Sequence, residues 1–490
     1  MASSILKIIF FTSFISTITA AAIGNLTVDL QPLLSKNAAI YYPGSEGYAN
    51  GTTRWSASIK PGLDVVVKVA SEEDVQNTVE YANKHDVPFL AIGGGHGTSS
   101  ALNSVKGGIG IWLRGMYGFE VTGNGSQAVI QAGMKSGEVI QALVDNKKQA
   151  VTGGCDCTGF TSPGLGGGHG WLQGRYGLIT DNILSVRIVL GNGTALTVSE
   201  SQHSDLFWGL RGAGHNFGIV TSVNYRIFDS VPGQDGFATS IFTFTQDKLE
   251  DVFSIANSWI KAKDRPVELT HYGIIALNPA IDSKPIIEFL VYWNGPEIPS
   301  NYTDPLNALK PVSVATKNVN LLEANANTGA SADGPACAVG VSHQTFPVNL
   351  DEWSLPNLRS IVNIYAGLPA ALNNSVMLLE GFAVNQVHAI PVESTAYADR
   401  QSNILASPLF TYPPNNATLD QTVVKIGKQI RAALLNGTGL ELNAYVNYAH
   451  GDESQQAVYG YEAWRQQRLT GLKRTYDPEG RFNFYEPIKI

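Results

Sequence analysis

Charge is scarce in this chain. Its 33 basic and 41 acidic side chains among 490 residues give 15% charged positions against 44% hydrophobic ones, with a net charge of −8. That balance supports a large buried core and excludes a disordered polypeptide. No run of Lys or Arg makes a basic footprint, so nucleic acid is not an expected partner. The 23 prolines are dispersed and form no proline-rich linker, so the two to four domains suggested by the length should pack intimately rather than as beads. Several catalytic signatures are missing as well. There is no G-x-G-x-x-G, because Thr98 follows the first glycine cluster and Trp171 lies three residues after Gly168, and this disfavours a Rossmann dinucleotide fold. A Walker loop, an H-E-x-x-H helix, paired C-x-x-C motifs and a G-x-S-x-G elbow are also absent, so no metal site is expected and serine hydrolysis lacks its usual support.

The N-terminus carries Lys7, an apolar stretch from Ile8 to Ile18 and small residues at Ala20 to Ala22. This pattern predicts a signal peptide over residues 1–22, cleaved before Ile23, and hence a secreted protein. No later stretch approaches the ~18 apolar residues of a membrane span, so the mature chain is expected off the membrane. Asn-x-Ser/Thr sequons at Asn25, Asn50, Asn124, Asn192, Asn301, Asn373, Asn416 and Asn436 agree with passage through a glycosylating compartment. In that compartment the three cysteines, Cys155, Cys157 and Cys337, are an odd set. One of them needs a fate other than an internal disulfide.

Local patterning is clearest between residues 64 and 92. Val65, Val66, Val67 and Val69 predict a strand, Ser71 to Asp74 a capping box, and Val75, Val79 and Ala82 a helical face, before a second strand from Val87 to Ile92. That strand runs into Gly93-Gly94-Gly95-His96-Gly97, a turn that leaves backbone amides open to a ligand. A strand around Val129 to Ala132 and a helix around Gly137 to Asp145 follow, then a glycine-dense loop from Gly153 to Gly177. From about Pro232 the glycine runs cease, and helices such as Leu249 to Ala262 alternate with strands such as Ile286 to Tyr292 and Leu440 to Val446. This region reads as a second domain carrying substrate specificity.

His96, set in a tight glycine turn with few side-chain neighbours, can serve as a ligand or cofactor tether, a general base or a capping residue. For Cys155 a tether competes with a disulfide or a buried thiol. In order along the chain come Val65 to Gly97, Gly154-Cys155-Asp156-Cys157-Thr158-Gly159, Gly166-Gly167-Gly168-His169-Gly170, Asp181-Asn182, Arg211 to Val220, Tyr445-Val446-Asn447-Tyr448 and Leu472 to Pro478. The set resembles the berberine bridge enzyme-like flavoproteins of the vanillyl-alcohol oxidase group, in a secreted fungal form, over nearly all of the mature chain.

That resemblance implies an α+β fold with FAD held by a two-part domain, residues 23–232 and 446–490. Residues 233–445 would form an α+β substrate domain built on an antiparallel sheet. It implies attachment of FAD through His96 to the flavin 8α-methyl, and through Cys155, eleven residues before Gly166, to flavin C6. Cys157 and Cys337 are then left as an even pair, free to bond if the fold brings them together. The cofactor would lie along Gly93, Gly94, Gly95, Gly97, Thr98, Gly154, Gly159, Gly166, Gly167, Gly168, Gly170, Ile219 and Asn447, with loop amides and helix ends holding its pyrophosphate. Tyr448 matches the family's catalytic tyrosine. A phenol with an ordinary pKa near 10 needs a cation or a polarised flavin to act as a base at neutral pH. Strict alternation from Leu440 to Val446 would place Tyr448 on the apolar face, so Tyr445 stands as the alternative phenol. Ile92 replaces the Arg that many relatives carry before the glycines, and the position governing oxygen access in plant relatives falls on Phe160, where a bulky ring would slow oxygen. The implied reaction is two-electron oxidation of a small organic molecule, an alcohol, phenolic or secondary metabolite, by a monomer. Either O2, giving H2O2, or another acceptor would take up the electrons. A carbohydrate oxidase and a flavin-containing pericyclic cyclase are the alternatives.

Overall fold

In the computed structural model, residues 26 and 28–490 are described; the expected signal peptide and Asn25 lie outside them. The chain first lays down a four-stranded sheet in the order Ala39–Tyr41, Leu63–Lys68, Gly108–Trp112, Phe89–Ile92. The last three strands are mutually parallel. Helix Glu72–Lys84 crosses between two of them, and its start is the capping box the sequence predicts. Ser71 Oγ accepts from Asp74 N at 3.1 Å while Asp74 Oδ2 accepts from Ser71 N at 2.9 Å. Val75, Val79 and Ala82 are fully buried beneath it. A five-stranded antiparallel sheet follows, ordered Phe119–Thr122, Gln127–Gln131, Ile219–Arg226, Ile183–Val189, Ala195–Ser199.

Residues 236–412 build the largest layer, an antiparallel sheet of eight strands. Its central strands are Pro285–Trp293, Leu269–Leu277, Val376–Gly381 and Ile404–Tyr412. Because side chains alternate across a strand, the sheet has two different faces. Ile275, Ile287, Phe289, Met377 and Leu379 point to one side and pack on helices Leu249–Ile260, Leu355–Ala366 and Ala417–Leu435. Tyr272, Ile274, Leu290 and Leu378 point to the other, toward the core of the five-stranded layer.

After the last long helix the chain returns to the first half of the molecule. Helix Ala463–Tyr476 packs on helix Ser204–Ala213. Lys473, wholly buried, donates to Asn216 O at 3.0 Å and pairs with Asp477 at 2.6 Å, and Ile488 N donates to Asn216 Oδ1 at 2.9 Å. The strand expected from Leu440 to Val446 does not form. Gly437 and Gly439 both take positive φ, and residues 440–445 run as irregular chain into a 3-10 turn at Val446–Tyr448. Among the described residues no helix is long and apolar enough to cross a membrane. The seven described sequon asparagines are all exposed.

Candidate active site

The two glycine loops meet. A Cβ on Gly94 would stand 2.4 Å from Gly159 N, and Gly95 has a φ of +72°. The close approach therefore needs glycine at both positions. The His96 ring stacks on Trp55 with centroids 4.9 Å apart, and Trp55 stacks in turn on His343 at 4.1 Å. Arg54 donates to Gly97 O at 2.8 Å and fixes the turn from behind. Burial, followed by the charges of Arg54, Lys135 and His343, pushes the His96 pKa down to about 3. The imidazole is therefore neutral at physiological pH, with a nitrogen lone pair available.

In the second loop Cys157 is bonded to Cys337, the even pair anticipated above, and Cys155 is left free. Its Sγ stands 3.4 Å from Cys157 Sγ and 3.6 Å from Cys337 Sγ. Burial pushes its thiol up to about 11.

Both loops open onto a cavity of about 960 Å³ that continues beneath the face of the eight-stranded sheet. Gly93, Gly94, Gly95, His96, Gly97, Thr98, Gly154, Cys155, Gly159, Ile219, Tyr445, Asn447 and Tyr448 all line it, as does Ile92. Its walls fit FAD. A Cβ on Gly154 would meet nothing within 4 Å, and Thr161 Oγ1, His215 Nδ1 and Arg54 Nε are buried wall atoms with no hydrogen-bond partner. Buried polar atoms of this kind call for a polar ligand.

Two expectations are corrected. Gly166, Gly167, Gly168 and Gly170 do not line the cavity. Neighbours instead occupy the space of their missing side chains: Asn447 and Val446 at Gly166, Tyr397 at Gly167, Ile179 at Gly168 and the Thr152 carbonyl at Gly170. Phe160 does not line it either; its ring is buried edge-on against Tyr225 at 5.1 Å.

The 3-10 turn places Tyr445 and Tyr448 three residues apart with rings 5.2 Å from each other, and both reach the cavity. Their surroundings differ. Tyr445 Oη accepts from Asn447 Nδ2 at 2.7 Å, Gly168 N at 3.1 Å and His169 N at 3.4 Å. Burial outweighs these donors and raises its phenol to about 12. Tyr448 Oη donates to Glu380 Oε1 at 3.1 Å, and Tyr272 Oη donates to the same oxygen at 3.1 Å. Burial raises the Glu380 carboxyl to about 7. The partner of Tyr448 is thus a carboxylate poised near neutrality rather than the cation the sequence reading sought. The sequence signal for Glu380 is its place as the one acid in the otherwise apolar run Val376-Met377-Leu378-Leu379-Glu380-Gly381-Phe382.

Comparisons with known proteins agree with this geometry. Residues 63–199 match the FAD binding domain family, and residues 444–489 the family described as berberine and berberine like. The chain is 38% identical over 468 residues to the FAD-linked oxidoreductase chyH of Penicillium rubens, covering 94% of this chain and 93% of that one. Its fold resembles the BBE-like 1 protein of Physcomitrella patens, with a TM-score of 0.79 at 21% identity over 94% of this chain and 99% of the other. It also resembles the glucooligosaccharide oxidase of Acremonium strictum, a protein with 6-S-cysteinyl, 8α-N1-histidyl FAD, with a TM-score of 0.78 at 19% identity over 95% and 98%. A cavity flanked by a neutral histidine, a free thiol and a tyrosine–carboxylate pair, together with likeness along almost the whole chain, makes this protein a member of the berberine bridge enzyme-like FAD-linked oxidoreductases.

Proposed function

We propose that this chain oxidises the hydroxyl or activated carbon of a small organic molecule, with Tyr448 and Glu380 as a proton relay beside a doubly attached flavin. FAD, when bound, supplies the two-electron acceptor. The observation that carries the reading is the 3.1 Å bond from Tyr448 to Glu380 on the wall of the cavity that His96 and Cys155 also line. The Tyr448 phenol takes the substrate proton as its own passes to Glu380, so the phenol never bears the charge that burial disfavours. Tyr272 holds the other side of the acceptor oxygen and orients the carboxylate. Tyr445, whose oxygen is already occupied by three N–H donors, positions the turn instead of transferring protons.

His96, neutral and held by stacking, is the nitrogen we assign to the 8α link, and Cys155 the sulfur for C6. The Acremonium relative's doubly linked flavin supports this. In this reading residues 23–232 and 446–490 hold FAD, residues 233–445 hold substrate, residues 1–22 direct secretion of a monomer, and O2 is the electron acceptor, giving H2O2. Acid precipitation of the purified protein should leave yellow colour in the pellet. The single variants His96→Ala and Cys155→Ala should each keep it there, and the double variant should release it; colour in the wild-type supernatant would reject both links. N-terminal sequencing of protein from the medium, expected to begin at Ile23, tests export, and peroxide release in aerobic turnover tests the acceptor.

A further inference from the structure

The sheet face above the cavity is unusual in what it presents. Ile274 and Ala276 on one strand, Val376 and Leu378 on the next and Leu409 on the third all point into the cavity. At one end of this aliphatic floor stands Glu380, directly opposite Tyr272. Toward the other stands Glu288, directly opposite Ile274 and therefore on the same face. Glu288 is displaced from Glu380 by two strand spacings and two residues, a Cα separation of about 12 Å from ordinary sheet geometry. The two carboxyls are not equivalent. Glu380 has two tyrosine donors, whereas the Glu288 carboxyl has no hydrogen-bond or ion-pair partner among the described residues, and burial alone raises its pKa.

From this geometry we infer that Glu288 anchors substrate, and that the molecule taken is apolar in its body, with the oxidised group at the Tyr448–Glu380 end and a protonated amine at the Glu288 end. The inference rests on the function proposed above and names the substrate class of the same site. Along these five aliphatic side chains the hydroxyls of a sugar find nothing to bond to, although Asn327, Asn373, Asn374 and Thr411 also line the cavity, and each unpaired hydroxyl would cost binding energy. It gives an alkyl or aromatic body contact along its whole length. A half-buried carboxylate without a cation is left uncompensated until a ligand brings one, and an ammonium group makes the charge-assisted bond it lacks.

The test uses 4-alkoxybenzyl alcohols whose alkyl chain ends in a methyl, an ammonium or a carboxylate group, together with their unreactive methyl ethers. Calorimetry of the holoenzyme with the three ethers should show the ammonium form binding at least about tenfold more tightly than the methyl form, and the carboxylate form weakest. Glu288→Gln should abolish that ratio, and Glu288→Lys should reverse it in favour of the carboxylate form. Equal dissociation constants for methyl and ammonium, or a ratio that survives both substitutions, would overturn the anchor. Anaerobic stopped-flow reduction separates this from the broader reading. Flavin reduced by an oligosaccharide and by none of the alcohols refutes the apolar substrate class and leaves oxidation standing. Flavin reduced by neither strikes the oxidoreductase reading itself, while the calorimetric ratios still decide the anchor.

Discussion

At the scale of single residues the reaction proposed above depends on one shared proton. Glu380 can accept it from Tyr448 only as a carboxylate, and burial has raised its pKa to about 7. Flavin reduction should therefore slow as pH falls through about 7 and level off above it. Glu380→Gln should remove this dependence and lower the rate by about 10²–10⁴, with Tyr448→Phe in the same range, as measured by anaerobic stopped flow. Tyr445→Phe should behave differently. It strips an acceptor from Gly168 N, His169 N and Asn447 Nδ2, so it should cost about 1–3 kcal/mol of stability in a denaturant titration, with a smaller effect on rate. His96, Cys155 and the tyrosine pair were legible in the sequence through the family resemblance that the glycine clusters and the Tyr-Val-Asn-Tyr stretch carry, since spacing alone left His96 and Cys155 open to other roles. Glu380 was not legible there, because it meets Tyr272 only when strand Val376–Gly381 is laid against Leu269–Leu277, and Tyr448 only when the turn Val446–Tyr448 is brought onto that sheet. Phe160 shows the opposite failure. Its neighbours Gly159 and Thr161 line the cavity while its own ring turns into the core, and no linear pattern records that turn.

At the scale of elements, the bond between Cys157 and Cys337 ties the second glycine loop to the segment before strand Ser342–Thr345 across 180 residues. Cys337→Ala should lower stability by about 2–4 kcal/mol in thermal and denaturant unfolding. Peptide mapping of the wild type should recover Cys157 joined to Cys337 and none of that pair joined to Cys155. The strand–helix–strand unit from residue 63 to residue 92 matched its pattern nearly residue for residue, because capping and burial there are both local. The Leu440–Val446 stretch shows where such reading stops. Its alternation of polar and apolar residues is that of a strand, yet after two left-handed glycines it meets the eight-stranded sheet through the bond from Asn349 N to Asn443 O at 2.8 Å without forming a ladder. The alternation argument about which tyrosine faces the site lapses with the strand, and both rings reach the cavity.

For the molecule as a whole, two buried carboxyls set a pH trend in stability. Glu380 and Glu486 are each raised by burial from 4.5 to about 7. A folded-state pKa above the unfolded one means that the native state holds protons the unfolded chain releases. Their contribution is therefore complete below about 4.5 and is lost as pH climbs through about 7. Replacing both by Gln should flatten the fall in the urea midpoint over that window. The general architecture was legible through the resemblance that the ordered glycine motifs carry, but the placing of Glu380 on the cavity wall needed the assembled sheets. The tail has a further consequence, in time rather than space. Asn216 waits for Lys473 and Ile488 before its backbone oxygen and its side-chain oxygen are satisfied, so a nascent chain on the ribosome carries the glycine loops, His96 and Cys155 long before the turn bearing the cavity residues His215 and Gly218 is fixed. Cofactor capture should then be post-translational, and a truncation removing only the final few residues should yield a colourless product even though every cavity residue is still encoded.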